Sequence, residues 1–215
     1  MDLEEFKSTK TAQITPTAKK FLALLFFFSF LMFAKYAPYS DTQLVANNLG
    51  KQIFTLYFFI VNQTLGIVHE SGHGVCYILH CSEFITAANG TVFQLLFPFL
   101  VGYYYKRRGQ FFIFLIGLFF LGISLHNTAA YVLSADQGPY LPASKSFLGV
   151  DALHDFNFIL LPFHILDSNK VLAGFLRFVA FFLMIYSVGH MYLLAFFSTK
   201  KVRNLEDEKS KLDRR

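Results

Sequence analysis

The stretch IFTLYFFIVNQTLGIVHESGHGVCYILH, residues 53–80, sets the terms for the whole chain. As one helix its 28 residues would run about 42 Å, more than the ~30 Å hydrocarbon core of a bilayer needs, so it is predicted to be tilted, broken, or emerging from the membrane. Yet this greasy segment carries His69, Glu70 and His73. Ionisable groups inside an apolar span cost several kcal/mol unless they are paired or put to use, so their presence asks for a partner.

Outward from this stretch, apolar blocks recur at 21–37, 92–105, 111–133 and 171–198, with a sixth at 156–166 that is too short to span. The composition agrees. Only 15% of residues are charged against about a quarter in an ordinary soluble domain. The 29 phenylalanines fall in runs such as LFFFSFLMF and FFIFLIGLFF, which suits lipid contact better than one amphipathic face. The expected fold is therefore all-α: a multi-pass bundle in the lipid bilayer with about five transmembrane helices and room for one re-entrant segment. Residues 1–20 and 199–215 read as charged tails around one membrane domain, 21–198. Lys35 and Pro38 spoil a small-residue cleavage site after the first block, which makes that block an uncleaved anchor. Residues 134–155, with Pro139 and Pro142, read as an ordered surface loop.

The excess of basic residues lies beside the apolar blocks, at Lys19 and Lys20, Lys106 to Arg108, and Lys200, Lys201 and Arg203. This is the pattern of topology anchors, and no nucleic-acid partner is expected. The anchors pose a puzzle. With the last two clusters cytoplasmic and every block crossing, counting back along the chain strands the basic N-terminal tail outside. Either the tail breaks the tendency, or the third block is a re-entrant hairpin, for which NGTVFQLLFPF (89–99) offers a Gly, a Gln and a Pro.

His69, Glu70 and His73 form HExxH. On a helix, positions four apart share a face, so both imidazoles can hold one zinc ion while the adjacent Glu70 serves as general base. The competing reading is a buried polar knot that glues helices together. A hydrolytic site needs a third protein ligand. The metzincin extension requires a glycine at 76 and a histidine at 79, where the chain has Cys76 and Leu79. After Glu83 the next glutamate is Glu206, so the third ligand is expected among Asp136, Asp151, Asp155 and Asp167.

These residues resemble the site-2 protease family of intramembrane zinc metalloproteases. HESGHG matches its first motif, and PFHILDSNKVL (162–172) is similar to its second, Asn-x-x-Pro followed by Leu-Asp-Gly, with Ser168 in place of the Gly and Ile159 in place of the Asn. The likeness is greater to bacterial membrane proteins grouped with that family, which share Gln94, Pro98, Asn127 and the His-Asp-aromatic triplet of HDFNFIL (154–160). It covers about residues 60–185. It implies a metal set of His69, His73 and either Asp155 or Asp167. Asp155 is favoured, because a His-Asp pair opening a short helix can set a carboxylate at membrane depth with a partner beside it. Both aspartates also read as helix caps. His126 reads equally as a donor at the site or as a hydrogen-bonder to a neighbouring helix. Gln94 reads as polar glue or a hold on substrate backbone. Gly66, Gly72 and Gly74 read as close-packing positions.

The expected function is hydrolysis of a peptide bond in or near the bilayer, with zinc as cofactor and a membrane protein or membrane-bound peptide as substrate. The resemblance implies a bacterial cytoplasmic membrane. The alternatives are a binding or assembly protein without turnover, and a membrane di-iron enzyme, for which the other five histidines are too scattered.

Overall fold

A computed structural model describes residues 14–37, 49–141 and 152–197, and within them the fold is all-α. Six helices follow one another: α1 Pro16–Tyr36, α2 Leu49–Leu79, α3 Glu83–Arg107, α4 Phe111–Leu133, α5 Asp155–Leu160 and α6 Asn169–Phe196. Between α4 and α5 lie a 3-10 turn, Ser134–Gln137, and a two-residue antiparallel pairing of Tyr140–Leu141 with Ala152–Leu153. The expected tails fall largely outside the described residues, as does Asp151. Helix α1 starts earlier than the apolar block suggests, because the Thr15 hydroxyl accepts from the Ala18 N–H at 3.3 Å and Pro16 suits a first turn. Lys19 and Lys20 thus ride on helix.

Four helices pack lengthwise. Phe26 of α1 meets Phe119 and Phe120 of α4, and Phe33 meets His126, so these two helices run parallel. Lys20 lies 6.0 Å from the Phe196 ring while Phe30 and Phe33 meet Phe181, which sets α6 antiparallel to α1. Lys106 at the end of α3 lies 4.6 Å over Phe114 near the start of α4, and Gly102 faces Gly117, so α3 and α4 are antiparallel too. One end of the bundle therefore gathers the starts of α1 and α4 and the ends of α3 and α6. It holds Lys19, Lys20, Lys106, Arg107 and Arg108 and, among the described residues, no carboxylate. We refer to it as the basic end.

Helix α2 behaves differently. Phe54 lies 6.2 Å from Phe33 and 5.6 Å from Tyr36 at the far end of α1, whereas His69 and Gly72 meet Gln94, Asn89 and Gly90 in the first half of α3. Phe33 is level with His126, and Gln94 is level with Ser124, so both halves of α2 touch the bundle at one depth. Phe54 and His69 are about 22 Å apart along the helix axis, so α2 lies across the far end. Among the described residues, the helices long and apolar enough to cross a membrane are α1, α3, α4 with its following turn, and α6 with its preceding turn. Five apolar segments thus yield four lengthwise helices, whose outward Phe28, Phe97, Phe178 and Phe182 are exposed as lipid-facing side chains would be.

The re-entrant hairpin that the sequence left open around 89–99 is not formed: α3 is continuous through Pro98. Proline at 98 has no N–H for the Gln94 carbonyl one turn back. The buried Ser124 hydroxyl of α4 donates to that carbonyl instead, at 3.0 Å. This substitute bond is what lets a proline sit within a membrane helix. With α2 lying across and α3 continuous, the topology puzzle disappears, since α1 and α4 start at the same end.

Candidate metal centre

The HExxH turn of α2 is pressed against α3. A side chain at Gly72 would strike the Asn89 carbonyl, and the Asn89 side-chain amide donates to the Gly72 carbonyl at 2.7 Å, so the two backbones touch. Gly74 has open space around it and takes no part in this packing. The contact aims both imidazoles over Gly90. His73 Nδ1 lies 2.8 Å from the Thr86 carbonyl, and His69 Nδ1 lies 3.1 Å from Gln94 Oε1. Both partners are acceptors, so both Nδ1 atoms carry protons and both Nε2 atoms are left to face inward.

Asp155 arrives from the other side on α5. His154 is the N-cap of that helix, its Nδ1 accepting from the Asn157 N–H, and its Nε2 pairs with Ser134 Oγ at 3.0 Å. Asn157 donates to the Ala135 carbonyl at 2.7 Å, and the His154 ring stacks on Tyr131 at 4.4 Å. The Tyr131 hydroxyl accepts from the Asp155 N–H at 3.2 Å. Asp155 therefore occupies the first turn of α5 and is not the cap that one reading of the sequence makes it. Its Oδ2 lies 2.9 Å from His69 Nε2 and 3.3 Å from His73 Nε2.

Two atoms bonded to one tetrahedral zinc stand about 3.3 Å apart; the two distances to Asp155 are close to that, and all three donors lie within 4.8 Å of one another. The electrostatics point the same way. With both Nδ1 protons committed, neutral imidazoles and a carboxylate present lone pairs and nothing else to their meeting point. Such a point is held by a cation, either a proton on one ring or a metal. Burial pushes the Asp155 carboxyl up, but with a proton at that point the hydrogen bonds and charge from His69 and His73 hold it on balance below its ordinary value. His69, His73 and Asp155 are the one group of three or more metal-ligating side chains found among the described residues.

Glu70 is half-buried and outside that group, near enough for its charge to bear on His73 and Tyr131. Asp167 and Asp136 are exposed in 3-10 turns away from the group. Ser168 precedes α6 without a side-chain capping bond, so the cap expected in this motif is not made. His126 packs against Phe33 and Phe181, which places it toward α1 and α6. His80 and His164 sit at left-handed turns, and His190 lies against Tyr186.

Sequence reasoning did not assign Tyr131, the Thr86 carbonyl or Gly90 to the site; it read Gly90 only as a mark of a broken helix. A Cβ at Gly90 would come within 2.5 Å of His73 Nε2 and 2.7 Å of His69 Nε2, so the missing side chain keeps the meeting point open. Only the AANG run (87–90) beneath a helical pattern hinted at it. No protein-family model, curated protein or solved structure matches this chain.

Proposed function

We propose that this chain is an integral-membrane zinc metallopeptidase that hydrolyses a peptide bond at the bilayer. The observation that carries the reading is the convergence of His69 Nε2, His73 Nε2 and Asp155 Oδ2 with both Nδ1 protons directed elsewhere. Two imidazoles and one carboxylate form a donor set that suits zinc and leaves a coordination position open. When bound, zinc supplies a Lewis acid that acidifies water and polarises the scissile carbonyl.

The chain's own residues do the rest. Gln94 and Thr86 fix the ring orientations, and Tyr131 with the His154 cap fixes Asp155. Glu70 takes the proton of the attacking water as the C–O bond forms, and delivers it to the departing amine as the C–N bond breaks. A helical substrate hides its backbone in its own hydrogen bonds and must unwind before it is cut. The donor set and the HESGH motif support the resemblance to site-2 proteases as a working assignment, and a bacterial cytoplasmic membrane is what that resemblance implies.

Metal analysis of the purified protein beside its His69→Ala variant is the decisive test. One zinc per chain, lost in the variant, is expected. Two irons would point to hydroxylase-type chemistry, and no metal in either protein would leave a polar helix contact in a binding or assembly protein.

A further inference from the structure

We infer that the metal centre works in the extracytoplasmic half of the bilayer, and that its substrates are membrane-anchored polypeptides cut at that boundary. The sidedness stands on the fold alone; the substrate class also rests on the metallopeptidase reading.

Two helices measure the depth independently. Gly90, beneath the imidazoles, and Lys106 lie on α3 about 24 Å apart along the helix. Phe114, which Lys106 covers, and Tyr131, which holds Asp155, lie on α4 about 26 Å apart. Against a hydrocarbon core of ~30 Å, the centre stands close to the far interface. The aromatic rims agree with those limits: Tyr103 and Tyr104 are exposed at the basic end, Tyr77 and Tyr140 at the far end.

Charge gives the direction. All charged side chains described at the basic end, Lys19, Lys20, Lys106, Arg107 and Arg108, are cations. The other half holds the carboxylates Glu70, Glu83, Asp136, Asp155 and Asp167 together with Lys35, Lys51 and Lys170, so the excess of positive charge lies at the basic end. Lysine and arginine next to spanning helices mark the cytoplasmic face, so the centre faces away from it. A polypeptide entering from the extracytoplasmic side meets the centre almost at once. One entering from the cytoplasm would have to carry its backbone through about 25 Å of apolar bundle, with several kcal/mol for each unsatisfied peptide group.

The test uses the full chain with Cys76 and Cys81 changed to alanine and one cysteine introduced at an exposed site, Glu83→Cys or Arg107→Cys. Intact spheroplasts of expressing bacteria are treated with a membrane-impermeant maleimide. Labelling at 83 from outside, and at 107 only after the membrane is opened, is expected. Labelling of both from one side, or of 107 alone from outside, overturns the sidedness. In a second arm, two single-span reporters carry a Gly-Pro segment at their extracytoplasmic or cytoplasmic end and are co-expressed with the wild type or with Glu70→Gln. Cleavage of the first reporter alone, absent in the variant, supports the substrate class; cleavage of the second or of both overturns it. Cleavage of neither removes the metallopeptidase reading and the substrate class with it, while the labelling result still decides the side.

Discussion

At the scale of single residues, the centre divides its work among side chains that differ in what they touch. Glu70 stands outside the converging group. Glu70→Gln keeps shape and removes the base, so hydrolysis should fall by at least about 10²-fold, the lower range for a lost general base, with zinc content unchanged. Loss of zinc together with activity would recast Glu70 as a ligand. The aspartates make a sharper contrast. Asp155→Ala removes a charged donor 2.9 Å from His69 Nε2 and should leave the purified protein largely free of zinc. Asp167 is exposed and caps nothing, so Asp167→Ala should stay within about 0.5 kcal/mol of wild-type stability and bind zinc normally. Zinc lost in the second variant and kept in the first would reverse the assignment. HExxH was legible because its spacing is a local property of one helix. The choice between Asp155 and Asp167 was legible only as a preference for Asp155, because it depends on how Tyr131, Ser134 and Ala135 anchor α5 from twenty or so residues away.

Among the elements, α3 is the platform on which the centre is assembled, and two substitutions probe it separately. Gly90→Ala improves intrinsic helix propensity by about 1 kcal/mol, yet its methyl group would enter the space that both Nε2 atoms face. Thermal unfolding of the metal-free protein should change little while zinc content drops; equal zinc in variant and wild type would show that the meeting point is not the binding position. Ser124→Ala tests the helix itself. It leaves the Gln94 carbonyl without the bond that stands in for the one Pro98 cannot give, at a cost of about 1–3 kcal/mol. Pro98→Ala should recover much of that loss by restoring an N–H at position 98, and a double variant no more stable than Ser124→Ala would remove this account of the proline. The sequence pattern fell short here for an identifiable reason. Gly, Gln and Pro within 89–99 are the ordinary marks of a broken helix, and only a serine on a neighbouring element made the unbroken one possible.

For the molecule as a whole, five apolar segments were visible in the sequence, but their length could not show that α2 lies across the bundle. That orientation follows from where Phe54 and Phe58 find Phe33, a contact between helices that hydropathy does not encode. It also makes the centre a tie. His69 and His73 belong to the transverse helix, whereas Asp155 belongs to the excursion between α4 and α6, so one bound ion would join two pieces that cap the same end. An ion that binds only the folded chain stabilises it by about 2.7 kcal/mol when present at a hundred times its dissociation constant. Adding zinc to chelator-treated protein in detergent should therefore raise its unfolding temperature, and the rise should be absent in His69→Ala. The sign of the pH dependence follows from the donors. Both imidazoles must be neutral to bind, so the zinc-dependent rise should be largest at mildly alkaline pH and shrink as the solution is acidified. Protons displace the metal in acid, while the four lengthwise helices, held by buried phenylalanine and methionine, keep their packing. A zinc effect of equal size in His69→Ala, or one that grows toward acid, would mean that the ion binds elsewhere on the chain and that the far end is joined by the polar contacts alone.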